Sequence, residues 1–190
     1  MPPLGPLRYS RSILRGYVSE LERLGILGRV RARASPALEI LLSAPARADK
    51  WIDARLFHEM MAATFALCGR DAVRGLGYRV MRAELGAVLE PIIGLALSVL
   101  GRNPASLFSH AGQMAGVVSQ GAEVTWAKGV DGTGTLQIRV EDPQPPLSWA
   151  PWEGVFVRAL ELAGHEGKVG ETRAARDGRS ATIEVSWVVR

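Results

Sequence analysis

Residues 152–163 read Trp-Glu-Gly-Val-Phe-Val-Arg-Ala-Leu-Glu-Leu-Ala. Trp152, Val155, Phe156, Ala159, Leu160 and Ala163 recur at intervals of three and four, which gathers them on one stripe of an α-helix. Pro151 suits the first helical position, Glu153 complements the positive end of the helix dipole, and Gly164 can supply a left-handed C-terminal turn. On both sides of this helix the period falls to two. Leu136, Ile138 and Val140 alternate with Thr135, Gln137, Arg139 and Glu141; Ala181, Ile183, Val185, Trp187 and Val189 alternate with Ser180, Thr182, Glu184 and Ser186. Asp131-Gly132-Thr133-Gly134 is a hairpin turn back to strand 122–127, and Arg176-Asp177-Gly178 turns strand 168–175 into strand 180–189. The pattern predicts β-β-α-β-β, a four-stranded antiparallel sheet with one face on the helix.

Upstream the period is helical. Residues 1–9 read as a flexible leader. Ser10 caps a helix with Ile13, Leu14, Tyr17, Val18, Leu21 and Leu24 on one side, and Gly25 ends it. Ser35-Pro36 opens a short helix to about Ser43, and residues 44–50 read as a linker. Asp53 caps a helix over 54–67, Gly69 stops it, and 71–85 forms the next. Residues 86–100 are apolar nearly all round, as in a helix wrapped by others. Asn103-Pro104 opens one more helix that ends near Gly121. Gly112 and Gly116 would let another backbone approach its face. The fold class is therefore α+β, an N-terminal helical region packed with the C-terminal β-β-α-β-β unit. A basic helical segment over 1–49 precedes a single domain over 50–190, helical over 51–121 and β-β-α-β-β over 122–190.

Composition narrows the function classes. Cys68 is the one cysteine in 190 residues, so an intrachain disulfide and a cysteine zinc cluster are both excluded. A cytoplasmic location is expected. No stretch is apolar for long enough to span a bilayer, so no membrane association is expected. Residues 1–35 carry seven arginines against two glutamates, whereas the remainder is nearly neutral. The basic character is thus local to the N-terminus, where Arg8, Arg11, Arg15, Arg29, Arg31 and Arg33 form a candidate patch.

The motifs Glu153-Gly154-Val155, Leu160-Glu161-Leu162-Ala163-Gly164, Asp177-Gly178 and the final strand 181–187 resemble an uncharacterised myxobacterial protein family. More distantly, helices followed by β-β-α-β-β resemble a ligand-binding superfamily. It includes haem–nitric-oxide-binding domains, four-vinyl-reductase domains and transport-particle subunits. That resemblance implies either a small apolar ligand between helices and sheet or a scaffolding role. Its haem-binding branch requires an axial histidine in the helix before the first strand and a Tyr-x-Ser-x-Arg motif in the hairpin. Here His110 falls one turn early, with Met114 at the expected position, and Thr135–Glu141 lacks the motif. The expectation is that no cofactor is bound.

Catalytic constellations fail on their spacing. His58-Glu59 begins a zinc-protease motif, but position 62 is Ala62, so the second imidazole is missing. Ser109-His110 lacks an orienting third group and a nucleophile elbow. Gly69–Gly77 follows a helix and lacks the Gly-Lys-Ser/Thr of a phosphate loop. No catalytic residue and no metal ligand set is assigned. Phe108, His110, Met114, Trp126, Trp152 and Phe156 are the candidate pocket residues. The expected function is a non-enzymatic binding module for a protein partner, a second copy of itself, or a small apolar ligand. The alternatives are DNA binding through the basic patch, although a nucleic-acid partner is not expected, and a haem-based gas sensor.

Overall fold

The caps read from the sequence start the helices. In the computed structural model, which describes residues 4–44, 50–83, 94, 103–130 and 132–188, Ser10 Oγ accepts from Ile13 N. Ser35 Oγ accepts from Leu38 N, Asp53 from Arg55 N and Asn103 from Ala105 N. They open α1 (Arg11–Arg23), α3 (Pro36–Ser43), α4 (Ala54–Cys68) and α6 (Pro104–Ser109). A short helix, α2 (Leu27–Arg31), which five residues are too few to announce, lies between the first two. Helix α5 is described over residues 70–83. The apolar stretch 86–100, apart from Gly94, and Asp131 of the first hairpin turn lie outside the described residues.

The helix expected over 104–121 is broken at His110. The chain re-enters as α7 (Ala111–Val118) and passes directly into β3 (Ser119–Gln120). The flexible leader is also corrected. Arg8–Ser10 is a strand, β1, with Leu7 and Tyr9 buried. It pairs antiparallel with β2 (Trp51–Asp53) on one side and β3 on the other. This small sheet joins the residues that lead into α1 and α4 to the end of α7. Strands of two or three residues are too short to show a period.

The C-terminal unit follows the predicted pattern. Strands β4 (Ala122–Lys128) and β5 (Thr133–Val140) pair with Trp126 opposite Leu136. Helix α8 (Ala150–Leu162) crosses to β6 (Gly167–Val169), β7 (Arg173–Ala174) and β8 (Ser180–Trp187). The order is β4-β5-β8-β6, with β7 also on β8. Leu136, Ile138, Val140, Ala181, Ile183 and Val185 make the buried face. The single third strand expected over 168–175 is split in two. At the split, Thr172 turns its N–H and hydroxyl onto Glu153 Oε1, 2.8 and 2.7 Å away. The ladder gives up its pairing there to satisfy a carboxylate that is fully buried.

The proline-rich loop before α8 holds a 3₁₀ turn, Pro146–Trp149, and its Trp149 is among the largest fully buried side chains. Residues 8–43 share one core with the rest of the chain, through Leu14, Tyr17, Leu21, Val30 and Leu38.

Candidate ligand-binding site

Helix α8 is buried on two sides, which its apolar stripe alone did not show. Phe156, Ala159 and Leu160 are buried, and so are Pro151, Glu153 and Gly154. Those last three meet α5. A Cβ at Gly77 would run into the Pro151 carbonyl, and one at Gly154 into the Arg74 carbonyl. The two helices therefore cross backbone on backbone, as only paired glycines permit. Glu153 seals the crossing by accepting from Arg70 Nη2 at 2.5 Å, with Arg74 Nε 3.8 Å from its other oxygen.

Between this crossing, α1, α4, α6 and α7 lies an apolar cavity of about 70 Å³. Tyr9, Ile13, Tyr17, Phe57, Met81 and Val118 form one side. Phe108, Met114, Trp152, Val155, Phe156 and Ala159 form the other. Four of the six pocket residues named from sequence thus meet at one void: Phe108, Met114, Trp152 and Phe156. Trp126 and His110 do not reach it. Trp126 stacks behind Phe108, with ring centroids 5.0 Å apart, where it lies over Gly134. His110 sits at the break between α6 and α7, its Nδ1 2.9 Å from the Ser106 carbonyl oxygen.

Sequence reasoning missed the opposite wall. Tyr9 and Tyr17 come from a segment read as leader and first helix, and only the tertiary fold carries them to α8. Both phenols are neutral. Burial pushes Tyr9 up to about 12, with neighbouring Trp152 opposing. Burial first, then neighbouring Tyr9, raises Tyr17 further still.

The basic patch does not assemble as expected. Arg11 is buried and donates to the Ala44 carbonyl, Arg31 pairs with Glu39 and Ser43, and Arg33 donates to the Arg29 carbonyl. Arg8, Arg15 and Arg29 are exposed. Among the described residues no group of three His, Cys, Asp or Glu could hold a metal ion, and no helix is long and apolar enough to cross a membrane.

His58 is buried in α4, and its Nε2 has no hydrogen-bond partner. It lines a second, polar cleft beside Asp53, Glu59 and Gln144. Burial holds its imidazole down to about 4, with Asp53 opposing. Because the folded value lies below the ordinary one near 6.5, the unfolded chain takes up the proton first as pH falls. Stability is therefore complete above about pH 6.5 and is lost progressively towards pH 4, by about 3 kcal/mol. Urea midpoints measured across that range should show the loss, and His58→Phe should remove that part of it. An unchanged slope in the variant would refute the assignment.

No family model matches the chain, and no curated protein sequence matches it. Solved structures do. An Fe(II) unliganded H-NOX protein from K. algicida superposes with a TM-score of 0.69 at 7% identity, over 95% of this chain and 97% of that one. An oxygen-binding H-NOX domain related to soluble guanylate cyclases, in its oxygen complex, gives 0.59 at 13% identity over 95% of each chain. An H-NOX structure from work on haem distortion gives 0.60 at 15% identity, over 95% of this chain and 97% of that one. The chain matches the haem–nitric-oxide-binding type of α+β fold over 95% of its length.

These neighbours overturn the expectation that no cofactor is bound, since the shared fold is one whose solved members are described with Fe(II) and haem. That expectation rested on the register of two short motifs. At this distance in sequence a fold keeps its cavity while individual motif residues move or change. Among the cavity-lining residues, the Met114 thioether is a donor that haem iron accepts. Both tyrosines in the wall are held as neutral phenols rather than the phenolates that ligate iron, and His110 lies outside the wall. The cavity is far smaller than an ordinary ligand pocket, so a ligand of haem size requires the walls to part.

Proposed function

We propose that this protein is a non-enzymatic sensor-type module that holds a ligand in the cavity between α1, α5, α7 and α8. Haem is the first candidate and a smaller apolar molecule the second. The observation that carries the reading is the void beside Met114 and Trp152, walled almost wholly by apolar and aromatic side chains. A core packed for stability alone closes such a space, because an apolar void forfeits contacts on every side.

Phe108, Val155 and Phe156 would pack against haem, and Met114 would offer its thioether to the iron. Bound there, haem would supply an iron centre able to take a diatomic gas. The residues' own part is to exclude water and to present Tyr9 and Tyr17 as uncharged phenols. The narrower kinship with the myxobacterial family rests on the C-terminal motifs, and a cytoplasmic setting on the lone Cys68. A protein partner or second copy completes the proposal. Exposed Ile40 on α3 and Phe65 on α4, two helices in contact, favour it. The spent side chains of Arg11 and Arg31 weigh against DNA.

Titration of the full chain with haem should produce a sharp Soret band at one equivalent. Met114→Ala should weaken binding at least tenfold. A ligand at one hundred times its Kd should add about 2.7 kcal/mol to stability. If neither haem nor benzene-sized apolar molecules raise the melting temperature, the reading is wrong.

A further inference from the structure

We propose that the cavity opens by movement of α1, and that the Glu20–Arg79 ion pair is the latch that keeps this wall closed. The inference rests on the ligand-binding reading and adds how that site is regulated. It follows from what ties each wall in place.

The α5–α8 wall cannot hinge. Gly77 and Gly154 put backbone against backbone, buried Glu153 joins α8 to Arg70 and Thr172, and Tyr78 Oη donates to Glu161 at 2.8 Å. Helix α7 is pinned to the large sheet. A Cβ at Gly112 would lie 2.6 Å from the Val124 carbonyl oxygen, and α7 runs straight into β3, which pairs with β1. Helix α4 is packed on the Pro146–Trp149 turn. The α5–α8 and α7 walls would have to break close backbone approaches to move.

Helix α1 is held differently. Its start is fixed, since Ser10 lies in β1 and Arg11 N donates to the Lys50 carbonyl at 2.9 Å. From there it extends for 13 residues, and Ile13 and Tyr17 face the cavity. Glu20 stands near the far end, about 15 Å from the pivot at the usual helical rise. Its Oε2 accepts from Arg79 Nε on α5 at 3.0 Å, and from Arg23 Nη2 within α1 at 2.9 Å. Among the described residues this is the charged link between α1 and α5. It lies where a small rotation about Ser10 gives the largest displacement. Among the described elements, a ligand too large for 70 Å³ therefore meets an α5–α8 crossing and an α7 held by close backbone approach, and an α1 whose far end is tied to α5 by side chains. Binding displaces α1, and the strength of the pair sets how much affinity the ligand loses in opening the site.

Arg79→Gln breaks the latch and leaves Glu20 paired with Arg23, so no buried carboxylate is orphaned. Arg23→Gln is the control, since it removes the pair within α1 and keeps the one between helices. Amide exchange over residues 11–23 should quicken about fivefold in Arg79→Gln, with residues 150–162 unchanged. Haem and benzene should bind about fivefold more tightly to that variant, and Arg23→Gln should match the unmutated protein in both respects. Equal behaviour of the two variants overturns the proposal, and so does faster exchange in α8 alongside α1. If no form takes up haem or benzene, the ligand-binding reading falls, while the exchange pattern still decides whether the pair holds the wall.

Discussion

Replacement of Glu153 by alanine is expected to cost about 3–5 kcal/mol, the range for removing one partner of a buried charged cluster. The carboxylate is fully buried, and its Oε1 is the shared acceptor for Arg70 Nη2, Thr172 N and Thr172 Oγ1. Without it a guanidinium that is only partly solvated and a backbone N–H at the β6–β7 break both lose their acceptor. The N–H has no strand partner to fall back on, because the break exists to reach Glu153. For a chain of 190 residues this corresponds to a fall in melting temperature on the order of 10 °C. Glu153→Gln keeps the shape and one acceptor oxygen, and should recover part of the loss. A melting temperature for Glu153→Ala within about 2 °C of the unmutated protein would mean that the cluster contributes nothing net.

Gly77→Ala is expected to destabilise as well, by about 2 kcal/mol net, despite placing the best helix former in the middle of a helix. Relief from glycine's helical penalty favours the variant by about 1 kcal/mol. Against this, the new methyl would overlap backbone atoms of Pro151, which cannot step aside as a flexible side chain could. Overpacking of this kind costs about 1–3 kcal/mol. The upper end applies here, because α5 and α8 must separate along the crossing, and that crossing also walls the cavity. The same substitution at Gly116 supplies the contrast. That position has nothing within 4 Å of an added Cβ, so alanine there should stabilise by up to about 1 kcal/mol. Paired thermal melts of the two variants with opposite signs are the expected result. Like signs would show that the α5–α8 contact is not under steric control.

Gly112 and Gly116 show why such differences are invisible in sequence. They sit one helical turn apart in the same apolar segment and read alike as small residues for a close approach. Only Gly112 receives one, from the Val124 carbonyl. Which glycine meets a neighbour depends on how α7 is rotated against β4, a property of the packed pair and not of either segment.

Much else was legible because it is local. Ser10, Ser35, Asp53 and Asn103 cap helices through hydrogen bonds to backbone only two or three residues away. Gly25, Gly69, Gly164 and Gly178 take the positive φ that their turns demand. The alternation in β5 and β8 follows from a side-chain period of two, and it correctly assigns Leu136, Ile138, Ile183 and Val185 to the inner face. A chain with these spacings can bury its apolar atoms only as helices against a sheet, so the α+β class and the β-β-α-β-β unit were determined by sequence alone.

Tertiary structure decided the rest. It placed Tyr9 and Tyr17 opposite Phe108, Met114, Trp152 and Phe156, put Trp126 and His110 behind that wall, and buried Glu153 at a crossing where its position in the sequence suggested a solvated first turn. Each of these is a relation between residues on different elements, or between two faces of one helix. Spacing reports which residues share a face. What that face meets is set by close packing of the whole chain.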